Sequence, residues 1–92
     1  MATIIYPDRR KVIIEPKNGT DFRLDQLQEI VGGYIEVLRL GDEHLMVVNE
    51  NGKYSELEYN PAATELAIKH QAIMYNDFIV GTVLICKVNE IK

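Results

Sequence analysis

The chain has 92 residues, 47% of them hydrophobic and 26% charged, which is enough for one globular domain spanning 1–92 and too few for two. Its formal charge of −4 argues against binding along a nucleic-acid backbone, which needs a surplus of Lys and Arg. One cysteine, Cys86, permits neither an intrachain disulfide nor a multi-cysteine zinc site and fits a reducing cytoplasm. The apolar run at the start of the chain has no basic leader and is too short to anchor in a membrane.

Thr3 to Tyr6 and Lys11 to Glu15 are two β-branched runs, and the Pro7-Asp8 pair between them suits a tight turn. This predicts a hairpin. Pro16 to Thr20 forms a second turn, after which Leu24, Leu27, Ile30 and Val31 recur at helical spacing, with Asp25 placed favourably for the helix dipole. The expected helix is Leu24 to Val31, stopped by Gly32-Gly33.

Tyr34 to Leu40, Glu43 to Glu50 and Lys53 to Glu58 then read as a three-stranded meander, joined by Gly41-Asp42 and Asn51-Gly52 turns of types II′ and I′. Asn60 followed by Pro61 gives an N-cap and a first-turn proline. Ala63, Leu66, Ala67, His70, Ile73 and Met74 share one face, so the second helix is expected over Pro61 to Ile73, with His70 packed on the apolar side. The run from Phe78 to Ile85 is apolar on both alternating faces, the pattern of a central strand or an oligomer seam. Together these elements predict an α+β domain with a mostly antiparallel sheet of about five to six strands and two helices.

Chemistry-bearing residues are sparse. His44 and His70 fall on separate elements with no metal-ligand spacing, and no nucleophile-elbow context surrounds Ser55, Thr64 or Cys86, so neither a metal, a cofactor nor a catalytic residue is assigned. Residues 31–60 hold six acids against two bases and carry the whole net charge, which makes the meander an acidic face suited to a basic partner. Arg9, Arg10 and Lys11 cluster at the first turn and could meet phosphate through guanidinium forks. Gly32, Gly33 and Tyr34 offer backbone amides and an aromatic ring for stacking. Glu36, Asn49, Glu50, Asn60 and Thr64 supply polar groups of the sort that orient a small ligand. Asn60 already has a capping role, whereas Asn49, Glu50 and Thr64 have none evident from sequence.

Leu24-x-x-Leu27-Gln28-x-x-Val31-Gly32-Gly33-Tyr34-Ile35-Glu36, Val48-Asn49-Glu50-Asn51-Gly52-Lys53, Asn60-Pro61-x-Ala63-Thr64 and Asp77-x-Ile79-Val80-Gly81 together resemble the DUF3846 family. The resemblance spans about residues 20–85 and omits the first hairpin. It implies a small accessory protein of a phage or mobile element working in the host cytoplasm, and it carries no catalytic residue over. The expectation is a non-enzymatic binding protein, assembled as a homo-oligomer, that sequesters a nucleotide-like signal. In that reading Tyr34 stacks on a base, Arg9, Arg10 or Lys11 meet phosphate, and Asn49, Glu50, Asn60 and Thr64 read polar edges. The alternative is an inhibitor that docks a host protein through the acidic face. Neither nucleic acid nor membrane is an expected partner.

Overall fold

The computed structural model describes residues 1–91 and holds five strands and two α-helices. β1 (Ala2–Ile5) and β2 (Lys11–Ile14) form the expected hairpin. α1 (Leu24–Val31) follows, then β3 (Ile35–Leu40) and β4 (His44–Asn49), α2 (Pro61–Lys69) and β5 (Val83–Lys87). The sheet order is β2-β1-β5-β4-β3, and every neighbouring pair is antiparallel. An α+β domain with an antiparallel sheet and two helices is therefore what the chain builds.

β5 occupies the centre, where its apolar residues on both faces are covered. Leu84 and Cys86 join Ile4, Leu45 and Val47 beneath α1, while Val83 and Ile85 face the other way with Ile5, Met46 and Val48 beneath α2. The sheet is thus sandwiched between the two helices, and the two sides of β5 are covered within one chain rather than by an oligomer seam. α1 ends where expected. Gly32 takes the left-handed conformation at φ 80°, and its N–H closes on Gln28 O at 2.8 Å.

Four local expectations are corrected. Lys53 to Glu58 is no strand: the chain runs through successive turns, with Ser55 N donating to Asn51 O (2.9 Å), Leu57 N to Gly52 O (3.0 Å) and Glu56 at φ 54°. β4 has only two edges, taken by β3 and β5, and a segment whose charges fall on alternate faces cannot displace the apolar β5 from a doubly covered position. The β3–β4 loop has three residues, Gly41 to Glu43, since Leu40 pairs with His44.

α2 stops at Lys69 rather than Ile73. Gln71 turns left-handed at φ 57°, and Ala72 N reaches back to Ala67 O (2.8 Å) while Gln71 N reaches Ile68 O (2.9 Å), a closure that leaves His70 and Met74 exposed instead of packed. Finally, β5 begins at Val83 and not at Phe78. Ile79 and Val80 are buried in a loop that bridges Tyr59, and Gly81 at φ 78° redirects the chain into the sheet.

Candidate functional site

A concavity of about 870 Å³ opens on the α2 side of the sheet beside β3. Three features of the chain shape it. Because α2 ends early, residues 71–80 return along β3; because 50–58 is a loop, Lys53 and Tyr54 stand at the rim; because β5 starts late, Phe78 and Ile79 form a wall. Val48 and Ile79, both buried, supply apolar lining, and Glu36, Leu38, Asn49 and Glu50 line the hairpin side. Tyr54 and Tyr75 at the rim are 90% and 82% exposed.

A polar clasp joins the two loops across the cleft. Lys53 Nζ lies 2.5 Å from Asp77 Oδ1 and 4.4 Å from the centroid of the Phe78 ring, which also meets Tyr59 edge-on at 6.3 Å. The hydrogen bond from Lys53, aided by one from Phe78 N, holds the Asp77 carboxyl below the ordinary value. Lys53, the cleft's lining cation, is thereby engaged. Glu36 and Glu50 leave the lining acidic.

The sequence-derived residues divide among several places. Glu36, Asn49 and Glu50 meet at this cleft. Asn49 is also a structural tie, donating Nδ2 to Val31 O (3.1 Å) and accepting Asn51 N on Oδ1 (2.8 Å). Asn60 and Thr64 are buried and fully engaged. Asn60 Oδ1 accepts Ala63 N at 3.0 Å, and its Nδ2 donates to Ile5 O (3.1 Å) and Gly81 O (2.8 Å). Thr64 Oγ1 donates to Asn60 O (2.8 Å) and accepts Ile79 N (2.9 Å), so it has a structural role invisible in the sequence. Their side chains pin the start of α2 to β1 and to the cleft wall.

Arg9 and Lys11 line a shallower depression of about 390 Å³ on the other flank of α2, with Glu65, Leu66 and Lys69. Arg9 pairs with Glu65 at 3.3 Å, while Arg10 bonds Asp8 at 2.9 Å and lies 4.4 Å over the Tyr6 ring. Gly33 and Tyr34 sit on the α1 side beside Asp25, Gln28 and Glu29, and Gly32 is exposed at the helix end. β1 and β3 are three strand spacings apart, roughly 14 Å. The stacking ring and the basic turn therefore belong to opposite faces and opposite edges, and the structure does not bring them into one site.

Lys53, Asp77 and Phe78 escaped the sequence reading. The available signal was Tyr75-Asn76-Asp77-Phe78, two aromatics around a turn-forming pair, a combination more typical of an exposed loop than of a strand. Among the described residues no group of three or more His, Cys, Asp or Glu is placed to hold a metal ion, and no helix is long and apolar enough to cross a membrane.

Fold and cleft define a small domain with a helix on each face of an antiparallel sheet and an open, acidic-lined recess. The chain belongs to the DUF3846 family, a domain of unknown function, whose model matches residues 2–92 and so takes in the first hairpin as well. No curated protein and no solved structure matches the chain.

Proposed function

We propose that the protein is a non-enzymatic binding module, an accessory of a phage or mobile element acting in the host cytoplasm, whose cleft docks a segment of a host protein rich in basic and apolar side chains. The observation that carries this reading is the composition of the cleft: apolar Val48 and Ile79, exposed rim aromatics, and two acids, Glu36 and Glu50, with the lining cation Lys53 already paired to Asp77. Aromatic anchors with complementary charge are what peptide docking uses. An anionic ligand would meet the wrong sign here.

Sequestration of a nucleotide-like signal is a second reading, favoured by Arg9, Lys11 and Lys69 lining one depression with Glu65 as its acid. A thermal-shift comparison separates them, using a capped peptide of alternating Arg and Leu against cyclic dinucleotides and ADP-ribose. A ligand at about 100 times its Kd adds ~2.7 kcal/mol to stability, which for a domain of this size raises Tm by about 10–20 °C. The docking reading expects stabilisation by the peptide, lost in a Glu36→Gln/Glu50→Gln variant. Stabilisation by nucleotides with no response to peptide would replace it with the signal reading.

A further inference from the structure

We propose that β2 is the seam of a homodimer, pairing antiparallel with β2 of a second copy about a twofold axis at Ile13 and joining two five-stranded sheets into one. This rests on the sheet edges and is independent of the cleft. The two edges are unlike. β3 carries Glu36 and Arg39, and the Arg39 guanidinium folds over the carbonyls of Gly41 (3.2 Å) and Asp42 (3.1 Å), a charged edge of the kind that discourages strand addition. β2 has neither proline nor an interior charge, and its Val12 and Ile13 are 41% and 64% exposed.

The backbone is set for such pairing. Tyr6 N donates to Arg10 O at 2.9 Å, and with the β1–β2 register this turns the even-numbered β2 residues inward and leaves the N–H and C=O groups of Lys11 and Ile13 facing out. In an edge dimer with a twofold axis normal to the sheet, paired residue numbers must sum to an even value. Centring on Ile13 places Lys11 opposite Glu15 twice by symmetry, and Val12 opposite Ile14 twice. Centring on Val12 would set Lys11 against Ile13, and centring on Ile14 would set Glu15 against Ile13 and Pro16 within the ladder. Only the Ile13 register matches charge with charge and apolar with apolar. Among the described residues, Glu15 is held only by an exposed contact with the Met1 ammonium at 3.4 Å. One such seam is small, so the dimer is reversible, with a Kd between about 1 µM and 1 mM.

The test combines sedimentation equilibrium with cysteine cross-linking. Directly opposed residues in a hydrogen-bonded antiparallel pair have Cα atoms about 5.5 Å apart, within disulfide range. Cys86 is buried, so Ile13→Cys introduces the one exposed thiol. With a mild thiol oxidant added to accept the two electrons, rapid disulfide dimers are expected for Ile13→Cys and not for Val12→Cys. Lys11→Glu should weaken dimerisation at least tenfold, and adding Glu15→Lys should restore it. All substituted positions are exposed, and a wild-type circular-dichroism spectrum checks folding. A protein that stays monomeric to about 1 mM, or Val12→Cys cross-linking as fast as Ile13→Cys, overturns the proposal.

Discussion

Asn60 does more than cap α2, and a pair of substitutions separates the roles. Its side chain is fully buried, with Oδ1 on Ala63 N and Nδ2 shared between Ile5 O and Gly81 O. Asn60→Ala removes the cap, worth about 1 kcal/mol, and strips two carbonyls of a partner at about 1–1.5 kcal/mol each, a total of about 3–4 kcal/mol. Against a stability of about 5–14 kcal/mol for a chain of this length, that is a large fraction, equivalent to roughly 15–25 °C in Tm. Asn60→Asp gives the sharper result. At an ordinary N-cap Asp and Asn are interchangeable. Here a carboxylate would keep the cap but face two carbonyl oxygens with no proton to offer, so at pH 7 it should destabilise at least as much as alanine. Urea unfolding monitored by tyrosine fluorescence and circular dichroism, with an unchanged m-value, reads both numbers. If Asn60→Asp lies within about 0.5 kcal/mol of wild type, the bonds to Ile5 and Gly81 contribute nothing and the reasoning fails.

The clasp should be local: Lys53→Gln is expected to cost less than about 1 kcal/mol globally, because the pair is half exposed, yet to speed hydrogen exchange of amides in residues 71–78. Unchanged exchange there would show that Lys53 does not tether the wall. Asp77, with its carboxyl held below the ordinary 3.8, stabilises fully above about pH 4 and loses that contribution as pH falls through its folded value. Acid titration of exchange in residues 71–78 should therefore show a loosening in wild type that is reduced in Lys53→Gln. Burial pushes the Cys86 thiol up to about 12, so at pH 8 its thiolate fraction is about 1,000-fold below that of a free cysteine. A disulfide reagent should leave it unmodified until urea unfolds the chain, and rapid native-state labelling would contradict its burial. Gly81→Ala must hold φ 78° with a Cβ 2.8 Å from Leu57 Cδ1, for an expected loss of about 2 kcal/mol in the same urea assay, and a neutral result would show that the kink into β5 tolerates a side chain.

Where local chemistry alone decides structure, the sequence was legible. Gly32 after an apolar helical repeat places the end of α1 to the residue, and Asn60-Pro61 places the start of α2. The double-sided apolar run correctly marks β5 as central, though its beginning is hidden because Ile79 and Val80 are as apolar as the strand and are buried in a loop. Lys53 to Glu58 fails for a different reason: its alternation suits a strand, but β5, more than twenty residues later, wins the edge of β4. That contest cannot be read locally. The cleft inherits the same errors, since its walls are the segments assigned to the missing strand, the overlong helix and the overlong strand. Glu36, Asn49 and Glu50 were visible as polar residues on the β3–β4 hairpin; Lys53 and Phe78 were masked by those assignments, and Asp77, in the turn between helix and strand, showed no partner in sequence. The placement of Tyr34 and Arg9 at opposite edges follows from strand order, which no local pattern specifies.

We propose that the acidic cleft docks a basic, apolar segment. The measurement that bears on it most directly is a residue-resolved amide NMR titration with the capped Arg-Leu peptide. Saturable shifts are predicted at Glu36, Val48, Glu50, Phe78 and Ile79, abolished by Glu36→Gln/Glu50→Gln with the fold intact. Shifts confined to Arg9, Lys11 and Lys69, or none that saturate around the cleft, would contradict it.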